Sequence, residues 1–135
     1  MNINELRINN LISHNGLICT VEIINGELNE IYFLGEDFYH SDKPENLEGV
    51  PLTEEVLLEF GFSKNENDVL QIETTLMPLS ITLSDNYPDE KYKAWVYEDE
   101  NFSYHIISDN IKYVHTLQNL YFALKGKELA SIKAN

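Results

Sequence analysis

The sequence predicts an α+β fold: a curved, mainly antiparallel sheet or a partly open small barrel, with one short helix and one C-terminal helix packed on it. Three observations carry this. Apolar-rich arms flank Asn-Gly pairs in the first third, "PLTEEVLLEFGF" holds a full set of helix punctuation, and "KYVHTLQNLYFALKGKEL", Lys112 to Leu129, repeats its aliphatic residues at helical spacing.

In chain order, "LISHNGLICTVEII" predicts a hairpin closed by Asn15-Gly16, because Asn-Gly supplies the two positive φ angles of a type I′ turn. Pairing His14 with Leu17 puts Ile8, Ile12, Cys19, Val21 and Ile23 on one face, the expected core face. Ser13, Thr20 and Glu22 fall opposite, mixed with Leu11 and Ile18, so that face should be half covered. Asn25-Gly26 then leads into "ELNEIYFLG", a third strand of a meander ending near Gly35. From Gly35 to Val50 the chain is polar and acidic with no sustained period, and it reads as a loop, the segment expected to be most mobile.

Thr53 is placed as N-cap of a helix over 54–60, with Glu54 and Glu55 in the first turn, where the helix dipole favours negative charge. Leu52 can staple onto Leu57. Gly61 is expected to close the helix in a left-handed conformation, with Phe62 folding back on Leu57. Two short strands are expected over 69–73 and 79–84, with Pro78 at an edge or bulge. "KAWVYEDENFSYHII" predicts a hairpin whose loop, 98–101, pairs Tyr97 with Phe102 and Trp95 with Tyr104. These four aromatics would form one face, to be buried under the C-terminal helix, with Ala94, Val96, Ser103 and His105 on the other. That helix carries Val114, Leu117, Leu120, Tyr121 and Leu124 on its apolar stripe and is expected to stop at Gly126.

A length of 135 residues fits one domain over 1–135, large enough to bury roughly two thirds of the surface its unfolded chain exposes. Lys and Arg number 9 against 23 Asp and Glu, a formal net charge of -14. Such a field repels phosphate backbones, which argues against direct nucleic-acid binding and leaves room for a basic protein partner. Cys19 is the single cysteine, so neither an intrachain disulfide nor a cysteine-based zinc cluster can form. "MNINELRINN" has neither the basic start and apolar run of a signal peptide nor a lipidation box, and no apolar stretch approaches the ~20 residues of a bilayer span. The expectation is a cytoplasmic protein without membrane contact.

No catalytic, cofactor-binding or metal-ligating set is assigned. His14, His40, His105 and His115 are scattered, no two at metal-ligand spacing on one expected element, and no nucleophile elbow or phosphate-cradling Gly-rich loop occurs. Glu54-Glu55 and Glu98-Asp99-Glu100 read as solvated carboxylates, and Cys19 as a buried, unreactive thiol. The C-terminal helix is the exception. Opposite its leucine stripe stand His115, Gln118, Asn119 and Phe122, uncharged near neutral pH, where an ordinary solvent face carries Lys and Glu. Such a face either packs on a second layer with its amides tied to strand edges, or meets a partner; these four are therefore the candidate partner-binding residues.

The segments "ELRINNLI", "LTEEVLLEFGF" and "KYVHTLQNLYFALKGKEL" resemble a family of small uncharacterised proteins of Bacteroidetes, often with prophage or mobile-element character. The family's opening resembles L-R-I-G-N-x-V; Asn9 replaces that glycine here, and Asn tolerates a left-handed backbone. Val56 stands where a tryptophan is common. The resemblance covers both ends and the middle helix, not the acidic segment or the strands around Met77. It implies a shared fold and an accessory origin, and transfers no catalytic residue and no cofactor.

The function expected first is therefore that of a non-enzymatic accessory protein that binds another protein. The alternatives are an acidic nucleic-acid mimic that inhibits a nucleic-acid enzyme, and a small-molecule-binding or enzymatic domain using His105 or His115 beside an aromatic pocket.

Overall fold

A computed structural model describes residues 1–37, 39–66, 69–72, 79–83, 92–97 and 104–129. The α+β class holds, with two open five-stranded antiparallel sheets in place of one sheet or a partly closed barrel. Contacts divide the chain into two compact units. One takes in Met1–Pro51 and Tyr113–Leu129, the other Leu52–Lys112.

In the first unit, strands β1 (Leu11–His14), β2 (Leu17–Asn25), β3 (Glu30–Leu34), β4 (Tyr39–Asp42) and β5 (Glu48–Gly49) form a sheet in the order β4-β3-β2-β1-β5. The first turn is as expected: His14 pairs with Leu17, and Asn15 and Gly16 hold φ of 52° and 82°. The second connection differs. Asn25 pairs with Glu30 across four residues, and the positive φ falls on Asn29 instead of Gly26, while the Asn25 side chain accepts the Leu28 N–H at 3.2 Å.

Ile12, Cys19 and Val21 are buried as expected, together with Ile31 and Phe33, and Met1, Ile3, Leu6, Ile24 and Leu47 pack on the same cluster. Ile8 and Ile23 are corrected: both are exposed. Val21 pairs with Phe33 but Ile23 with Tyr32, so Glu22 is an extra residue on β2, and this bulge turns Ile23 outward and Ile24 inward. Ile8 precedes β1 in a turn where Asn9 adopts φ 75°. The stretch expected to be a loop is also corrected, since it contains β4, a 3-10 turn over Pro44–Asn46, and β5. The residues of β4 alternate between exposed and half-buried on an edge strand, where one face needs no apolar partner.

The C-terminal helix α2 (Val114–Lys125) belongs to this first unit and lies by β1, whereas the hairpin at Trp95 belongs to the second unit. Gly126 ends it in the left-handed conformation with φ 71°. Val114, Leu117 and Tyr121 are buried as expected, whereas Leu124 is exposed.

In the second unit, helix α1 (Glu54–Glu59) is followed by β6 (Ser63–Lys64), β7 (Leu70–Ile72), β8 (Leu79–Leu83), β9 (Tyr92–Tyr97) and β10 (Tyr104–Ile111), in the order β10-β9-β8-β7-β6. The caps of α1 are as expected, with Phe60 as the C-cap residue. Thr53 Oγ1 accepts the Val56 N–H at 3.2 Å, Gly61 stands at φ 94°, and the N–H groups of Phe62 and Gly61 bond to the carbonyls of Leu57 and Leu58, each at 3.1 Å, as a Schellman motif requires. Leu52, Leu57, Phe60, Phe62, Leu70, Ala94 and Ile111 are buried.

The register of the last hairpin is corrected by two residues. Tyr97 pairs with Tyr104 and Trp95 with Ile106, so the connection is longer than four residues, and β9 and β10 carry register shifts beyond Ile106. Phe102, Ser103 and Pro78, and the side chains of Val96, Tyr97, Tyr104 and His105, lie outside the described residues.

Candidate functional site

The helix face singled out in the sequence is an internal clamp. His115 and Gln118 are 1% and 3% exposed, which corrects the expectation that they meet a partner. Gln118 Oε1 accepts the Leu11 N–H at 2.9 Å, and its Nε2 donates to the Asn9 carbonyl at 3.3 Å. Asn119 Nδ2 donates to the Glu5 carbonyl at 2.8 Å, while its Oδ1 accepts from Asn10 Nδ2 at 2.9 Å and Arg7 Nη1 at 3.1 Å. Asn10, wholly buried, accepts the Arg7 N–H at 2.7 Å. Phe122 is half-exposed and lies under the Arg7 guanidinium, 3.9 Å from its carbon, and the same guanidinium pairs with Glu128.

These carboxamides therefore do the work of a strand edge. They satisfy main-chain groups of the segment leading into β1. Arg7, Asn10 and Glu128 were not legible as their partners. "LRINN" looks like an ordinary polar stretch until the fold brings it to the helix.

His115 stacks on Tyr113, with ring centroids 5.6 Å apart and planes at 14°. Burial holds its pKa below the ordinary histidine value, partly offset by the Glu5 carboxylate 3.5 Å from Nε2. Its Nδ1 has no hydrogen-bond partner among the described residues.

A concavity does open elsewhere in the first unit, at the end of the sheet where the β1–β2 and β3–β4 connections lie side by side. It holds about 460 Å³ and is lined by residues including His14, Leu17, Ile18, Cys19, Glu36 and His40. The register explains which side chains reach it. His14 follows Ile12 on the inward face of β1, and His40 pairs with the buried Phe33.

Both imidazoles pack on Phe33, with centroids 4.9 Å away for His14 and 5.7 Å away for His40, and the two are 6.0 Å from each other. His14 Nε2 lies 3.2 Å from Asp42 Oδ2. Asp42 also accepts from Asn46 Nδ2 at 2.7 Å and the Lys43 N–H at 2.8 Å, and these bonds, with His14, hold its carboxyl below the ordinary aspartate value.

Burial pushes the Cys19 thiol up, so it stays protonated and a poor nucleophile. Among the described residues no three His, Cys, Asp or Glu side chains converge as a metal-binding set, and no helix is long and apolar enough to cross a membrane. A histidine on the apolar face of a hairpin was the one available signal for this concavity; that a second histidine would join it depends on strand order, which spacing does not reveal.

The outer face of the same sheet is apolar and open. Ile18, Ile23 and Tyr39 are 59%, 56% and 67% exposed, and Leu34 beside them is 37% exposed. Pairing places them together: Tyr39 faces Leu34, Leu34 faces Thr20, and Ile23 joins them because of the bulge at Glu22. No protein family, curated protein or solved structure matches the chain.

Proposed function

We propose that this protein is a non-enzymatic interaction domain of the accessory kind that its resemblance implies, and that it docks a partner protein on the outer face of its first sheet. The single observation that carries the reading is the cluster of Ile18, Ile23, Leu34 and Tyr39, large apolar side chains facing water on one side of one sheet. A solvated sheet face normally alternates to polar residues; one that keeps its aliphatics exposed marks a contact surface. The net charge of -14 favours a basic partner and disfavours nucleic acid.

The test is affinity capture from extracts of the native host with the unaltered protein and with an Ile23→Glu, Leu34→Glu variant, each at two salt concentrations. Retention of a protein by the unaltered chain and its loss from the variant, at both concentrations, supports docking on this face. Equal capture by both forms refutes it. Capture that vanishes in high salt for both forms favours the acidic-mimic alternative, since screening weakens charge contacts and spares apolar ones.

A further inference from the structure

We propose that the mouth between the two hairpin connections of the first sheet receives a guanidinium, the head group of an arginine side chain carried by the docked partner. This rests on the interaction reading above and adds to it the chemistry of one contact.

Three properties of the mouth select that group. Its size admits a whole side chain: about 460 Å³ lies within the range of ligand cavities, towards its low end. Its charge is one-sided. Glu36 and Asp37 stand in the lining, Asp42 lies behind His14, and no Lys or Arg takes part. A cation entering it meets the carboxylates of Glu36 and Asp37 within the field of a strongly acidic protein.

Its wall, finally, offers ring faces beside aliphatic side chains. The rings of His14 and His40 are both braced on Phe33, and Leu17 and Ile18 complete the sides. An ammonium is a compact, strongly hydrated ion that gains little against such a wall. A guanidinium is flat and weakly hydrated, stacks on ring faces, and meets a carboxylate with two parallel N–H groups. Arginine therefore fits where lysine does not.

The position agrees with the docking face. Ile18 lines the mouth and is exposed on the outer surface, and Leu34 directly precedes Gly35 of the lining, so a partner seated on the sheet has the mouth at its border.

The experiment is a titration of the isotopically labelled full chain with N-acetyl-arginine methylamide, followed by amide shifts, with the citrulline and lysine counterparts as parallel probes. Citrulline keeps the shape and removes the charge. The expected result is saturable, millimolar binding that moves the amides of Gly16, Cys19 and Gly35, weaker for lysine by about tenfold and absent for citrulline. The Glu36→Gln, Asp37→Asn variant, altered only in exposed side chains, should bind the arginine probe about fivefold or more weakly.

Equal binding of citrulline, shifts confined to other parts of the chain, or no saturable shift would overturn the inference. The Ile23→Glu, Leu34→Glu variant separates the two ideas. If it loses partner capture while the unaltered chain ignores the arginine probe, the docking face stands and the guanidinium site falls. If capture is unaffected while the probe binds, the site stands and the docking face falls.

Discussion

The side-chain oxygen of Gln118 accepts the backbone N–H of Leu11 at 2.9 Å, joining helix α2 to the first residue of β1 across 107 positions of sequence. With Gln118 removed, a main-chain donor at a part-buried site loses its partner. Gln118→Ala should therefore destabilise the fold by about 1–3 kcal/mol, whereas Phe122→Ala, which loses only a half-exposed ring under Arg7, should cost less, about 0.5–1 kcal/mol. Urea melts of both variants check the order, and equal small losses would contradict the clamp.

Gly49 should tolerate no side chain. A Cβ there would lie 2.5 Å from two ring carbons of Tyr113, and that ring is itself braced on His115. Gly49→Ala is expected to cost about 1–3 kcal/mol by overpacking, and Tyr113→Leu in the same chain to recover part of the loss. A double-mutant cycle reads the coupling.

The helix α1 caps give a separate pair of expectations. Thr53→Ala should cost about 1 kcal/mol through the lost bond to Val56, and Gly61→Ala a similar amount, about 1 kcal/mol, because φ 94° is strained for any residue with a Cβ. Thermal melts check both, and additivity is expected only in so far as the two ends of this short helix act independently.

Acid should weaken the protein in two steps of different origin. His115 is held neutral by burial, so its folded pKa lies below the unfolded value near ~6.5. As pH falls through that value the unfolded chain takes up a proton that the folded chain refuses, and stability declines until the folded value is reached; above about pH 7 the group contributes no slope. Asp42 has the opposite protonation chemistry in a lower window. Its folded pKa lies below 3.8, so its contribution is complete above the unfolded value and is lost as pH drops further. Denaturation midpoints from pH 8 to 3 should lose the upper slope in His115→Phe and the lower one in Asp42→Asn. Unchanged slopes in either variant would show that its group does not titrate as its surroundings dictate.

The parts of this fold legible in the sequence are those whose cause is local. Asn15-Gly16 carries its own turn geometry, Thr53 and Gly61 carry their own caps, and the spacing of Val114, Leu117 and Tyr121 carries a helix. What could not be read depends on a partner strand. Glu22 becomes a bulge only because Phe33 and Tyr32 take the positions on either side, and this alone exposes Ile23. β4 has no apolar alternation to announce it, yet it supplies His40 to the concavity and Asp42 to His14. The polar face of α2 was visible as unusual, but whether amides serve a partner or their own chain is decided by tertiary contacts.

Helix α2 spends its polar face on its own chain, and we propose that recognition belongs to the first sheet. The most direct test compares capture from host extract by Ile23→Glu, Leu34→Glu with capture by Asn119→Ala, Phe122→Ala, after folding of each has been confirmed by circular dichroism. Loss of the partner by the sheet variant and retention by the helix variant is the predicted result. Retention by the sheet variant together with loss by the helix variant would contradict the account and return recognition to α2.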